Sequence, residues 1–279
     1  MLTIAIPVYN RLDLLKIMAD SLYKTVIPVP YNIRVYDDCS TEFGLSELKG
    51  LFPDAASVRR NETNLRADGN MFAFYKDFLL SSDEYLFNAD SDIIFNKNCF
   101  VRALDLIGQT EGVLSVFNAP SHPVKEVVDE NFCIKETLGA AGTFFIRKRV
   151  QEIMGHFSAL EGGQVIGFDW KWSRFLSESN VRIFCTNASL VQHIGYRGQN
   201  TVIPYKGYKK IRTHKPYFDY GKNFTVDSLE TGQIINDIFH KFTEHNRLED
   251  ERIVYIMANR PISKLKRFVK NVLGIDKPL

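Results

Sequence analysis

Short apolar runs alternate with amphipathic stretches through the first half of this chain. Leu2 to Val8 has the composition of a buried strand, and the apolar residues after it recur at helical spacing. Further strands are predicted at Ile33 to Tyr36, Ser57 to Arg60 and Tyr85 to Asn88, again with helical patterns between them. This alternation is typical of a parallel sheet with crossover helices on its faces. The pattern therefore predicts an α/β fold.

The pattern is less regular after residue 92. A helix is predicted near Lys97 to Gln109, strands near Val113 to Asn118 and Thr143 to Ile146, and another helix from Phe168. The alternation stops near Thr201, where Lys and Tyr become more frequent. This change indicates a soft domain boundary near Thr201.

The length of 279 residues suits one large domain or one domain with an appendage. We expect this domain over residues 1–200, with halves of about 1–110 and 111–200, and an extension over residues 201–279.

Composition and charge exclude several classes of protein. Because 45% of residues are hydrophobic and 24% are charged, the chain is predicted to fold rather than to be disordered. A net charge of +2 gives no basic field for binding nucleic acid. No apolar stretch is long enough to span a bilayer, and the N-terminus lacks the features of a signal peptide. The four cysteines form no Cys-x-x-Cys pair, so we expect reduced thiols in a cytoplasmic protein.

Two carboxylates, Asp90 and Asp92, directly follow the strand that ends near residue 88. Aspartates two apart in an extended segment point the same way, and their oxygens suit Mg²⁺ or Mn²⁺ with water and phosphate as the other ligands. A polar turn is the alternative, because Asp and Ser are favoured there. The carboxyl ends of parallel strands share one edge, where these carboxylates would meet residues 7–11 and Asp38. This convergence favours the metal site.

Two other polar residues suit a nucleotide site. Asp38 follows the second strand, where its carboxylate could accept a hydrogen bond from ribose or from the N3–H of uracil or thymine. Asp37 is the better candidate for capping the following turn. Arg66 opens a predicted helix and could bind phosphate or a base edge, with a solvated side chain as the alternative.

Asp169 is a candidate general base. It opens a predicted helix among large apolar side chains, where desolvation would raise its proton affinity, and a helix N-cap is the alternative. Trp170 and Trp172 offer stacking faces for a sugar ring unless they are buried in the core. Gly142 would let backbone approach a ligand, although glycines in loops more often serve a turn.

Two residues near the end of the predicted domain could act on the metal and the diphosphate. His193 could supply a neutral nitrogen to the ion, and a packed histidine is the alternative. Arg197 could pair with the diphosphate.

Taken in order, these segments resemble the motifs of a GT-A glycosyltransferase of family 2. The resemblance covers about residues 1–200 and rests on Thr3 to Arg11, Val35 to Ser40, Asp90 to Asp92, Phe168 to Asp169, and His193. It implies a Rossmann-like, mostly parallel sheet flanked by helices, here with a C-terminal helical extension. The first half of the domain would bind the nucleotide sugar and the second half the acceptor.

The resemblance also implies roles for individual residues. The first strand and its loop, through Pro7, Tyr9 and Arg11, would bind the nucleoside diphosphate together with Asp38.

In the family the last aspartate of Asp-x-Asp ligates the metal, which corresponds to Asp92, and a late histidine matching His193 often joins it. Asp90 would contact ribose, or the metal through water. The family's base usually sits in a Glu-Asp pair, and here Phe168 replaces the first acid and leaves Asp169 alone.

The implied activity is metal-dependent, inverting transfer of a sugar from a UDP-sugar to a hydroxyl of a glycan or lipid-linked glycan, as in bacterial surface polysaccharide synthesis. A sugar-1-phosphate nucleotidyltransferase is one alternative, but the Gly-rich loop with a basic residue expected after its first strand is missing. A non-catalytic carbohydrate-binding or scaffold protein on the same fold is the other.

Residues 261–274 form a predicted basic amphipathic helix. Such a helix can lie on an anionic membrane, so the protein would be cytoplasmic and peripheral on the inner face of the membrane. The alternatives are docking on the protein's own core or on a second subunit, as in a homo-oligomer.

Overall fold

The apolar runs of the first half form a sheet in the structure, a computed structural model that describes residues 1–158, 167–196 and 220–259, with most of the part after residue 248 described by its backbone alone. The strands are β1 (Leu2–Val8), β2 (Tyr31–Asp37), β3 (Ser57–Arg60), β4 (Tyr85–Asn88), β5 (Ile93–Phe95), β6 (Val113–Ser115), β7 (Val124–Val127), β8 (Phe132–Lys135), β9 (Thr143–Ile146), β10 (Ile183–Thr186) and β11 (Val191–His193). The helices are α1 (Leu12–Tyr23), α2 (Leu45–Leu51), α3 (Arg66–Leu80), α4 (Cys99–Ile107), α5 (Arg147–Ser158), α6 (Phe168–Glu178) and α7 (Leu229–Asn259).

Nine of these strands form one sheet in the order β3-β2-β1-β4-β9-β6-β10-β8-β7. Strands β8 and β9 pair antiparallel with their neighbours and run opposite to the other seven. The central sheet is therefore mostly parallel, as predicted. Strands β5 and β11 form a separate antiparallel pair.

The register of the central strands brings their carboxyl ends together. Strand β1 pairs with β2 from Leu2↔Tyr31 to Val8↔Asp37. It also pairs with β4 as far as Ala5↔Asn88. The loops after these three strands therefore lie at one edge of the sheet, where ligands bind in open α/β folds.

Side chains of β1 alternate between two cores. Ile4 and Ile6 belong to an apolar cluster shared with α1 and α4, whereas Ala5 belongs to a cluster shared with α3, α5 and α6. Because strand side chains alternate between faces, a continuous apolar run such as β1 must be covered on both sides. The sheet is therefore the middle layer between two layers of helices.

The structure departs from the predicted elements at short or irregular segments. Strands β1, β3, β4 and β9 have the predicted bounds, but β6 ends at Ser115 rather than near Asn118. The Ser115 hydroxyl accepts a hydrogen bond from the N–H of Phe117 at 3.2 Å, which forms a local turn at this point. The hairpin of β7 and β8, the pair of β5 and β11, and helix α5 were not predicted.

The described residues divide into two compact units. The first contains those up to Ile194 together with residues 220–229, and the second contains Gly195, Tyr196 and the rest of α7. In the second unit the rings of Tyr196 and His245 lie 6.3 Å apart. The predicted boundary near residue 200 and the predicted helix at 261–274 both lie outside the described residues.

The four cysteines are all free. Within the ranges described, none of the helices combines the length and apolarity needed to cross a membrane.

Candidate active site

The loop after β1 is strained and carries a site arginine. Asn10 and Arg11 both have left-handed backbone, with φ of 54° and 60°. The loop is held by hydrogen bonds to residues 40–42: the N–H of Asn10 donates to Ser40 Oγ and the N–H of Arg11 to Glu42 Oε2, each at 2.8 Å. Because left-handed backbone costs about 1–2 kcal/mol per residue outside glycine, these bonds are needed to keep the loop in place.

Arg11 reaches the aspartate that follows β4. Its Nη1 donates a 2.6 Å hydrogen bond to Oδ2 of Asp92, and the same oxygen lies 3.4 Å from Nε2 of His193. Burial on its own raises the pKa of Asp92, but the charges of Arg11 and His193 hold that pKa well below its usual range. Burial lowers the pKa of His193, and the neighbouring Asp92 outweighs it and raises that pKa. Asp92 is therefore ionised and faces two cationic or polar partners.

Strand pairing brings His193 to Asp92. In the antiparallel pair of β5 and β11, His193 is opposite Ile93, and the N–H of Ile194 donates to the carbonyl of Asp92 at 2.8 Å. Two residues about 100 positions apart in the chain are thus fixed side by side by backbone bonds.

The chemistry of this pair fits a divalent cation. Asp92 Oδ2 and His193 Nε2 are separated by about the distance of two adjacent ligands on an octahedral ion, roughly 3 Å. The buried Nδ1 of His193 has no hydrogen-bond partner in the described structure, so this ring is held by packing and not by a second polar group. No group of three or more His, Cys, Asp or Glu side chains within the described ranges could hold a metal. An ion at Asp92 and His193 would therefore take its remaining ligands from water and substrate, which Mg²⁺ commonly does.

Asp90 is near this pair but does not complete a three-ligand cluster with it. Asn88 Nδ2 donates to its Oδ1 at 3.3 Å, and the segment that contains Asp92 is a turn rather than an extended strand. Burial, followed by the negative charge of Asp92, raises the pKa of Asp90 to about 7.

Asp37 and Asp38 have different hydrogen-bond partners after β2. Asp37 is fully buried and accepts hydrogen bonds from Ser40 and Arg60, so it caps the turn after β2. Asp38 is 3% exposed, and its Oδ1 accepts from Asn61 Nδ2 at 2.9 Å and from the N–H of Leu65 at 2.7 Å. The structure therefore fixes the Asp38 carboxylate at the edge of the sheet.

Three other residues expected to bind the nucleotide lie near the ends of strands β1 and β3. Pro7 and Tyr9 are half-buried at the end of β1. Arg66 is exposed at the start of α3 with left-handed backbone, φ 64°, and its N–H donates to Asn64 Oδ1 at 2.8 Å. Arg197 lies outside the described residues.

Asp169 lies in the first turn of α6, and its Oδ1 accepts from the N–H of Trp170 at 2.8 Å. Burial raises the pKa of Asp169 to about 6, with a further contribution from the charge of Asp68. Asp169 is not the helix cap, because that position belongs to Gly167 with φ 69°. A carboxylate with such a pKa is ionised at neutral pH yet accepts a proton readily, as a general base must.

The exposed face of Trp170 borders a cleft. Its side chain is 52% exposed and its ring lies 5.1 Å from that of His122. The cleft has a volume of about 540 Å³. The residues that line it are Lys125, Glu136, Thr137, Trp170, Lys171, Arg174, Ser177 and Glu178.

Two residues predicted to contact the acceptor have structural positions instead. Trp172 is fully buried with its ring 5.2 Å from that of Phe145, so it offers no face to a ligand. Gly142 is buried with φ 65°, and a Cβ there would lie 2.9 Å from Val191 Cγ2. Both predictions of acceptor contact are therefore wrong, because core packing takes up these positions.

Asp68 was not selected from the sequence. Its two carboxylate oxygens accept from the N–H groups of Gly167 and Phe168 at 3.0 and 2.8 Å. Its only sequence signal is a position in the first turn of a predicted helix, where acidic residues are common.

The sequence of this chain matches one family of known proteins. Residues 3–160 match the model of glycosyl transferase family 2. No curated protein matches the chain in sequence.

Solved structures with similar architecture include Staphylococcus aureus TarS. TarS 1-349 in complex with UDP-GlcNAc has a TM-score of 0.55 and 17% identity, over 73% of this chain and 61% of that chain. TarS 1-349 alone has a TM-score of 0.50 and 17% identity, over 68% and 59%. A third crystal structure, of S. aureus TarS, has a TM-score of 0.50 and 19% identity, over 68% of this chain and 36% of that chain. The chain thus spans less than two thirds of these relatives, and at such identities the likeness extends to the fold alone.

Proposed function

The chain belongs to glycosyl transferase family 2, and we propose that it transfers a sugar from a UDP-sugar to a hydroxyl group of a glycan or lipid-linked glycan. The family match covers more than half of the chain, and the fold is similar to that of TarS. The family, the GT-A fold and, at the level of the family, the assignment as a glycosyltransferase are therefore confirmed.

The observation that carries the proposal is the contact of Asp92 with Arg11 and His193 at the carboxyl edge of the sheet. A nucleoside diphosphate is a leaving group with several negative charges, so positive charge is needed where it departs. Arg11 provides one such charge. The fixed carboxylate of Asp38 would accept a hydrogen bond from uracil or ribose, and the crystallised complex of TarS with UDP-GlcNAc supports a UDP-sugar donor.

Asp92 and His193 are the residues that would hold Mn²⁺ or Mg²⁺. When bound, such an ion supplies positive charge to the donor diphosphate. Arg11 shares Oδ2 of Asp92 and would contact the same diphosphate, while Asp90 would contact ribose or a water. Pro7, Tyr9, Arg66 and Arg197 would complete the donor site.

Asp169 would act on the acceptor. Its carboxylate takes the proton of the acceptor hydroxyl as the oxygen attacks the anomeric carbon, while the bond from that carbon to the diphosphate breaks. Attack from the face opposite the leaving group inverts the anomeric configuration. The exposed ring of Trp170, next to Asp169, would stack on an acceptor sugar in the adjoining cleft.

The proposed acceptor class is a cell-surface glycan or its lipid-linked precursor. The basic amphipathic pattern of residues 261–274, which lie outside the described residues, supports binding to the cytoplasmic face of an anionic membrane. Removing residues 260–279 should reduce sedimentation with anionic liposomes but not with neutral ones. Unchanged sedimentation with both would contradict membrane binding.

Donor binding is tested by thermal unfolding with UDP-sugars, with and without Mn²⁺. We expect a UDP-sugar to raise Tm by a few degrees when Mn²⁺ is present and much less with EDTA, because a ligand that binds only the folded state stabilises it. Asp92→Asn should lose this metal-dependent shift, and Asp105→Asn, on the exposed surface of α4, should keep it.

Catalysis is tested by release of UDP on addition of a glycan acceptor. Stabilisation by nicotinamide cofactors in place of UDP-sugars, or donor binding with no UDP release for any acceptor, would overturn the proposal. The second outcome would favour a non-catalytic binding protein.

A further inference from the structure

Helix α6 begins without a capping side chain of its own. Its N-cap is Gly167, which has no side chain to accept a hydrogen bond, yet the first N–H groups of a helix need acceptors. Asp68, from the first turn of α3, supplies both acceptors: Oδ2 for the N–H of Gly167 and Oδ1 for that of Phe168. The carboxylate of Asp68 thus caps the N-terminus of a helix that begins about 100 residues later in the chain.

The docking of α6 on α3 does not depend on this carboxylate alone. Phe168 is fully buried, and its ring lies 5.8 Å from Phe72, 5.5 Å from Tyr75 and 5.2 Å from Phe157. This aromatic cluster anchors the start of α6 through edge-to-face contacts of the Phe168 ring. The two hydrogen bonds of Asp68 are directional, so they define how the first turn of α6 is oriented.

The same stretch of chain also holds the donor side of the site. The N–H of Leu65 donates a hydrogen bond to Asp38. Three residues later, Asp68 accepts a hydrogen bond from the first turn of α6, which contains Asp169. Residues 65–68 therefore join the carboxylate proposed to bind the nucleoside to the carboxylate proposed to act as base.

We propose that Asp68 is a positioning residue for the transfer reaction, which orients the first turn of α6 so that Asp169 faces the acceptor hydroxyl. This role presupposes the proposed function of Asp169 as base. The negative charge of Asp68 also favours the protonated form of Asp169, because like charges close together disfavour ionisation.

The first test compares Asp68→Asn with Asp68→Glu. Asparagine keeps the size but loses one acceptor and the charge, whereas glutamate keeps both acceptors and the charge. We expect Asp68→Asn to lower kcat about tenfold with the KM for donor unchanged within about twofold, since a small misplacement of a catalytic group impairs the chemical step more than binding.

The dependence of kcat on pH distinguishes positioning from a general loss of structure. Removing the charge of Asp68 should lower the pKa of Asp169 and move the acidic limb of the profile to lower pH. In Asp68→Glu, the acidic limb of the kcat profile should lie at the same pH as in the wild-type protein. An unshifted limb in Asp68→Asn would overturn the proposal.

Two measurements by NMR remain valid if the protein transfers no sugar, and the first, made on the wild-type protein, remains valid also if Asp68→Asn does not fold. In the wild-type protein, the amides of Gly167 and Phe168 should exchange with solvent at least about tenfold more slowly than unstructured amides. Exchange at unstructured rates would overturn the proposal. In folded Asp68→Asn, the carboxyl carbon of Asp169 should titrate at lower pH than in the wild type, and identical titration would overturn it. If both NMR results are as expected but no sugar is transferred, the proposed function is refuted. The effect of Asp68 on the position and pKa of Asp169 is then still supported.

Discussion

The carboxylates at the edge of the sheet differ in charge because their neighbours differ. Asp92 contacts Arg11 and His193 and is ionised, whereas Asp90 has the charge of Asp92 beside it and a pKa of about 7. Asp169 is half-buried at the start of α6, and this burial raises its pKa to about 6. One ionised carboxylate for cations and one with raised proton affinity for the acceptor is the division of roles that transfer requires.

Asp169→Asn should abolish most turnover and keep donor binding. Loss of a general base reduces kcat by about 10²- to 10⁴-fold, and Asn cannot accept the proton. UDP release should be measured with donor at saturation, and donor affinity by calorimetry. In the wild type, activity should rise with pH through about 6, as Asp169 loses its proton. The exposed Asp105→Asn is the control, and near-normal turnover of Asp169→Asn would show that the base is another group.

Asp90→Asn should stabilise the metal-free protein at alkaline pH. The pKa of Asp90 is about 7 in the folded state against an ordinary value of 3.8, so between these values the folded state holds a proton that the unfolded state has released. Stability therefore falls as pH rises through this window. The amide of the asparagine cannot ionise, so the variant avoids the cost of a buried negative charge. Its free energy of unfolding should exceed that of the wild type by about 2 kcal/mol at pH 8 and by less at pH 5. Urea unfolding in EDTA measures it, and an equal gain at both pH values would contradict this assignment.

At the scale of elements, the site depends on short strands and tight loops. Gly142 joins two strands by backbone bonds: its N–H donates to the carbonyl of Asn88 at 3.0 Å, and its carbonyl accepts from Val116 at 2.8 Å. Val191, which packs on Gly142, begins the strand that ends in His193. Close packing at this glycine therefore supports the strand that carries the histidine.

Gly142→Ala should destabilise the protein by about 2 kcal/mol or more, because an L-residue is strained in the left-handed region and its Cβ would press on Val191. Gly139→Ala is the matched control. Its Cβ would lie 3.4 Å from His122 Nε2, and Gly139 has no positive φ, so the change should stay within about 1 kcal/mol. The free energy of unfolding in urea compares the two, and equal effects would refute the packing role of Gly142.

At the scale of the whole molecule, the first compact unit includes a segment far along the chain. Residues 220–229 return to it: the N–H of Lys222 donates to the carbonyl of Asn118 at 2.9 Å, and its carbonyl accepts from Ser189 at 2.8 Å. Gly221 donates to Gln192 at 3.0 Å, beside His193. The segment thus holds the strand that supports the site.

A chain ending at residue 229 should be more stable than one ending at residue 200. The shorter chain loses these hydrogen bonds, so the N–H of Ser189 and the carbonyl of Asn118 lose the partners that Lys222 supplies, and each buried unpaired group costs about 1–3 kcal/mol. Thermal unfolding and the UDP-dependent shift in Tm should be compared for both. Equal stability and equal donor response would instead favour a unit that ends near residue 200.

Much of the fold could be predicted because its signals are local. The runs of β1, β3, β4 and β9 and the helix starting at Phe168 have the predicted positions, since apolar runs and helical stripes can be seen among neighbouring residues of the chain. Strands β5 and β11 have three residues each, too few for a period to be visible. They form because they pair with each other, and that pairing is long-range.

The residue types of the site, the order of its motifs and hence its family were determined by the sequence alone, because the polar residues follow the apolar runs at the ends of strands. Only the tertiary structure decided which of these residues meet. It brought His193 to Asp92 through the pairing of β5 and β11, turned Trp172 into the core, and gave α6 its cap from Asp68. The physical reason is that apolar periodicity is encoded within a few residues, whereas hydrogen bonds and packing across 100 residues depend on how the layers close on one another.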